Sequence, residues 1–127
     1  MTYTLPGGSL ARDGQYVDIV CFGTTAGYVA AINGIQFRIG STVISEYDSF
    51  LATGKFGFMA KIIRTGAATQ KCFFRWLVNS DGAGATNMSN YVTSTEALSG
   101  ALAIDINIAL YAGGTITQET MIVELSG

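Results

Sequence analysis

The residues able to do chemistry in this 127-residue chain are few, and their spacing fits no known catalytic arrangement. There is no histidine. That removes the commonest general base, the commonest metal ligand and every Ser-His-Asp arrangement. Cys21 and Cys72 match no metal or redox spacing. Lys71 precedes Cys72, and a neighbouring cation can activate a thiol. In an extended chain, however, adjacent side chains point to opposite faces. Both cysteines sit in strand-like apolar runs, so buried free thiols are expected. That fits assembly in a reducing cytoplasm.

The acidic residues are equally uninformative. Glu46 and Asp48 lie two positions apart, whereas glycosidases need carboxyls placed across a cleft. A solvated surface is the usual place for Asp and Glu. Asp81-Gly82-Ala83-Gly84-Ala85-Thr86-Asn87 approaches a calcium loop. An EF-hand needs oxygen ligands at alternate positions and a closing glutamate, and Ala83 and Ala85 break that pattern. Gly7-Gly8 and Gly113-Gly114 lack the lysine and hydroxyl of a phosphate-binding loop. No catalytic residue, metal site or cofactor is therefore expected.

Binding chemistry has more support. Tyr28, Tyr47, Tyr91, Tyr111 and Trp76 offer stacking faces for a sugar. Trp76 falls on an apolar alternation and is expected in the core, whereas Tyr111 falls on the polar side of its strand. With Asp81, Asn87 and Asn90 of the glycine-rich polar segment 80–90, Tyr111 forms a candidate exposed binding loop. The seven cations are scattered, net charge is −2 and the isoelectric point is about 4.8. Nucleic-acid binding thus lacks its electrostatic driving force. No apolar run approaches the ~20 residues of a membrane span, and no basic start followed by an apolar core marks a secretory signal.

The elements that must position these residues are strands. Phe56 to Asn79 is the centre. Phe56, Phe58, Ala60 and Ile62 alternate with Gly57, Met59, Lys61 and Ile63, and Cys72, Phe74, Trp76 and Val78 alternate with Lys71, Phe73, Arg75 and Leu77. Period two means strands with two distinct faces. The break at 65–69 holds Gly66, which can take positive φ, so a hairpin with a loop of about five residues is expected. Val17, Ile19 and Cys21 mark the core side of a first strand at 15–22. Asn33-Gly34 between apolar runs at 28–32 and 35–39 predicts a type I′ hairpin turn. A short run comes next at 42–45. Segments 46–54 and 96–100 each have room for one helical turn. Residues 90–95 form a weak strand, and 103–112 and 120–125 are clear ones. The expectation is one all-β domain: an antiparallel, jelly-roll-like β-sandwich of about eight strands over residues 15–127. Residues 1–14, with the only proline, form an extended N-terminal arm. Thr2, Tyr3, Leu5, Pro6 and Leu10 are its candidate docking residues.

Composition adds one more clue. Charged residues are 13%, against about 25% in typical soluble domains, while hydrophobic residues reach 49%. Chains with so little charge often hide apolar surface against partners. Met59, Ile63, Phe73 and Leu77 lie opposite the core side of the central hairpin, and they are the candidate subunit interface. Lys61 and Arg75 share that face as a polar rim.

Three segments carry a resemblance to a known family. Lys61-Ile62-Ile63-Arg64-Thr65-Gly66 leads into a second long strand, Asp105-Ile106-Asn107-Ile108-Ala109-Leu110-Tyr111 forms another, and Thr115-Ile116-Thr117 closes with Met121-Ile122-Val123-Glu124-Leu125. Together, over roughly residues 55–126, they resemble the small jelly-roll domains of tailed-bacteriophage virion proteins: head fibres, capsid decoration proteins and tail fibre or spike domains. The resemblance implies a non-enzymatic virion component, commonly a homotrimer, that docks on other capsid or tail proteins. In that setting the arm is the anchor to the particle, and a host surface glycan is a possible further partner.

Overall fold

The structure, a computed structural model, describes residues 2–26, 33–47, 54–80, 84–110 and 115–126. Among them there are nine strands and no helix: β1 (Thr2–Leu5), β2 (Tyr16–Ala26), β3 (Asn33–Ile39), β4 (Thr42–Tyr47), β5 (Gly54–Gly66), β6 (Thr69–Ser80), β7 (Gly84–Ser94), β8 (Leu102–Leu110) and β9 (Thr115–Ser126). They form two antiparallel sheets, ordered β1-β8-β3-β4 and β7-β6-β5-β2-β9. The chain passes back and forth between the sheets, which gives the jelly-roll-like sandwich its closure.

The alternation read from the sequence sets the layers. Val17, Ile19 and Cys21, then Phe56, Phe58, Ala60 and Ile62, then Cys72, Phe74, Trp76 and Val78 all face inward and are buried. The four-stranded sheet answers with Phe37, Ile39, Ile44, Leu102, Ile104 and Ile106. At the centre the Phe58 ring sits between Phe37, 4.7 Å away, and Trp76, 4.3 Å away. The Trp76 indole Nε1 donates to Ser45 Oγ at 2.9 Å across the sandwich, so the ring's one polar atom is satisfied.

The turns correct several expectations. Asn33 and Gly34 are not a hairpin turn: both lie in β3, paired with Leu110 and Ala109 of β8. Long-range pairing with β8 overrides the local signal of the dipeptide. The tight turn comes at Gly40-Ser41, where Gly40 has φ 56°, a left-handed value that favours glycine. The β5–β6 loop is shorter than expected, with Ala67 and Ala68 at its tip and a register shift between Arg64 and Gly66. Gly66 does not take a positive φ, and a Cβ there would lie 2.5 Å from Thr69 Oγ1, so the Thr69 side chain would have to turn away. Residues 96–100 form no helical turn. The strand expected at 28–32 and most of the segment 46–54 lie outside the described residues.

A strand with no counterpart among those expected is β1, inside the segment read as an arm. It pairs with β8 from Thr2↔Asp105 to Leu5↔Leu102. Leu5 and Leu10 are buried in the protein's own core. Arg64 anchors the stretch from Leu10 to Gln15. Its Nη1 donates to Leu10 O at 2.6 Å and its Nε bridges to Asp13 at 3.0 Å. Backbone bonds Gly14 N→Arg64 O and Arg64 N→Gln15 O, each 2.9 Å, complete the clamp.

Candidate functional site: the outer face of the five-stranded sheet

Strand register turns the outward positions of β7, β6, β5, β2 and β9 into a grid. One row runs Tyr91, Phe73, Lys61, Asp18, Glu124; the next runs Ser89, Arg75, Met59, Val20, Ile122. A third runs Leu77, Gly57, Phe22, Thr120, and on the other side lie Thr93, Lys71, Ile63, Tyr16, Ser126. Because side chains alternate along each strand, these positions are the complement of the core.

Much of this grid is apolar and open. Met59 is 45% exposed, Phe73 53%, Leu77 48% and Tyr91 65%, and Phe22 and Ile122 are exposed beside them. Ile63 is half-buried. Gly57 leaves a dip between Phe22 and Leu77. A shallow depression of about 460 Å³ opens between Val20, Met59, Lys61, Phe73, Arg75 and Glu124. Lys61 is not at the rim of the patch. It lies on the central strand, 3.0 Å from Asp18 and 3.6 Å above the Tyr16 ring. Its charge is thereby matched within the chain, although so exposed a pair adds at most ~1 kcal/mol to stability.

Met59, Ile63, Phe73 and Leu77 are therefore brought together on one face. Phe22, Tyr91, Val20 and Ile122 extend the same surface beyond the residues expected there. For Phe22, Val20 and Ile122 the signal was the alternation of β2 and β9, masked in β2 by Tyr16 and Asp18 at neighbouring outward positions, whereas Tyr91 is brought there by the pairing of β7 with β6. The arm residues divide: Thr2, Tyr3 and Pro6 are exposed, whereas Leu5 and Leu10 are core. The expected loop at 80–90 is largely strand. Asn87 pairs with Leu77, and Asn90 is exposed in β7, where its Oδ1 accepts from Tyr91 N at 2.8 Å. Asp81 and Tyr111 lie outside the described residues.

Reactive groups are held elsewhere. Burial pushes the Cys21 and Cys72 thiols up from 9.0 to about 11. With β5 between their strands, ~10 Å of sheet separates them, too far for a disulfide. Ser94 Oγ lies 3.6 Å from Cys72 Sγ and donates to Gln70 Oε1 at 2.7 Å. Gln70 is itself fully buried, and its Nε2 donates to Glu96 O at 2.7 Å. The Glu96 carboxylate accepts from the Thr42 hydroxyl at 2.6 Å and from Ser41 N and Thr42 N, each at 3.1 Å. These bonds, the Thr42 hydroxyl foremost, hold its pKa below the usual carboxylate value. The network ties the β3–β4 turn to the segment after β7, and each member has a structural partner. Among the described residues no three His, Cys, Asp or Glu side chains gather as metal ligands do. No family model, curated protein or solved structure matches the chain.

Proposed function

We propose that this chain is a non-enzymatic structural subunit that associates with copies of itself through the outer face of the five-stranded sheet. One observation carries the reading: six large apolar side chains stand exposed in adjacent rows of a single sheet face. Each is already about half covered, so completing its burial is worth ~1 kcal/mol, and the six together contribute several kcal/mol against the cost of association. The resemblance of residues 55–126 to virion jelly-roll domains supports placing the subunit in a bacteriophage particle, as a capsid decoration, head fibre, tail fibre or spike component. Thr2, Tyr3 and Pro6 are the arm residues with surface to offer the particle. The test is sedimentation of the purified chain, alone and with phage particles. Association that is lost in Phe73→Ser/Leu77→Ser supports the reading. A stable monomer that also fails to bind particles sinks it.

A second reading rests on Tyr91. It is the most exposed of the large apolar residues described and stands directly across from Phe73. Two open rings side by side are a stacking platform for a sugar, so a host surface glycan is the alternative ligand. Glycan-array binding that disappears in Tyr91→Ala favours it, and an array with no signal removes it.

A further inference from the structure

The charges on the same face are sorted by strand. On the β6 flank, Lys71 and Arg75 point outward and are exposed. On the β9 flank stand the exposed carboxylates Glu124 and Glu119, the latter in a depression that the exposed Lys55 of β5 also lines. Lys61 and Asp18 close on each other in the middle. From β6 to β9 is three strand spacings, about 14 Å, too far for the flanks to pair within one copy. Between the flanks lie Met59, Val20 and Phe22, with Phe73, Leu77 and Ile122 interleaved among the charges. The cations of the face thus stand on β6 and β5 and its carboxylates on β2 and β9, with apolar side chains between them.

We infer that this surface is complementary to itself, so that the basic β6 flank of one copy meets the acidic β9 flank of a second. The inference rests on the self-association reading above and specifies its contact. The registers support it. Glu124 stands in the row of Phe73, between the rows of Lys71 and Arg75. A second copy turned about an axis parallel to the strands, with its rows level, brings its Glu124 between those two cations. The same turn sets β2 of the second copy over β5, so its Phe22 comes over the dip at Gly57, one strand from Leu77 in the same row. Opposite charges on the two halves of one face explain why the occupant is another copy of this chain. A polyanion would meet the acidic flank, and a bilayer would have to strip both flanks of water. With rows level the contact is two-fold, both flanks of each copy meeting the same partner; a ring would instead set each flank against a different neighbour.

Charge reversal tests this directly. Lys71→Glu/Arg75→Glu and Glu119→Lys/Glu124→Lys alter exposed positions, and circular dichroism checks that each variant keeps the parent fold. Each variant alone should associate at least about 100-fold more weakly than the parent, because like charges then face each other. The chain carrying all four reversals should regain association. An equimolar mixture of the two double variants should also associate. In a two-fold pair the mixture restores the parent stoichiometry, whereas a three-membered ring leaves one mismatched contact and cannot close. Analytical ultracentrifugation reads all of these. Parent-like association by both double variants overturns the flank pairing while leaving self-association intact. A parent chain that stays monomeric overturns both.

Discussion

The two sheets share one core and differ in what they turn outward. On the four-stranded sheet, Gln36 Nε2 donates to Glu46 at 2.8 Å, the Thr2 hydroxyl bonds Asp105, and Arg38 stands across from Asp105. Val43 is the large apolar side chain exposed on that face among the described residues. On the five-stranded sheet the outward rows hold Phe22, Met59, Phe73, Leu77, Tyr91 and Ile122. The inner faces had no choice, because they must fill one sandwich. The outer faces were free to be polar, and one is. An antiparallel sheet with water on one side normally alternates apolar-in and polar-out. The departure on the second sheet therefore reports on what that sheet meets.

The sharpest break of this comparison uses neighbours in one strand. Trp76 is fully buried, packed at a tilt against Phe58 and bonded to Ser45. Trp76→Ala should cost about 3–5 kcal/mol in urea unfolding. Leu77, the next residue, faces out. Leu77→Ala should cost less than about 1 kcal/mol in the monomer while weakening association. Equal losses of monomer stability would mean that Leu77 is covered within its own chain, and the contrast between the faces would collapse.

The inner face can also be probed without mutation. Thiols held at about 11 have roughly 100-fold less thiolate at pH 8 than thiols at 9.0. Labelling of Cys21 and Cys72 by a thiol reagent should be slower by at least that factor in the native chain and should recover in denaturant. Rapid labelling of either in the native state would show the inner face opening.

How far the sequence carried these conclusions differs by feature. The inward sets of β2, β5 and β6 were legible because period two, read over long runs, has one solution. The outer patch was legible where its residues were aliphatic or aromatic in series, as in β6. It was hidden in β2, where successive outward positions, Asp18, Val20 and Phe22, mix a charge with apolar neighbours. The ion pair that makes Asp18 tolerable there joins strands whose residues are 43 positions apart. Turn signals failed for the same reason. Asn33-Gly34 has the local chemistry of a turn, yet its pairing partner arrives from β8, more than seventy residues later. The arm reads as loose from its glycines, but the bonds that hold it come from Arg64.

The polar side of the molecule has its own dependence on charge. Glu96 holds the β3–β4 turn only as a carboxylate, and its folded pKa is depressed. Its contribution is therefore present above the unfolded carboxyl value near 4.5 and is lost as pH falls through the lower folded value. Glu96→Gln should cost about 1.5 kcal/mol at pH 7. The gap between variant and parent should close in acid, as the parent carboxylate takes up its proton. A gap unchanged down to pH 3 would mean that shape, and not charge, holds the turn.

The smallest expected effect is also the control for the whole comparison. Gln36 and Glu46 bond across the outer face of the four-stranded sheet, exposed to water. Gln36→Ala removes that bond from a place where solvent replaces it, so unfolding should change by less than about 0.5 kcal/mol. Association should not change, because the contact assigned here lies on the opposite side of the sandwich. Gln36→Phe is the stricter form, since it puts a large apolar group on the polar face. If the polar face is solvated in the assembled protein, Gln36→Phe leaves the oligomer's mass unaltered. A change in that mass would place the four-stranded sheet, too, at a contact, and the asymmetry between the two faces would no longer locate the interface.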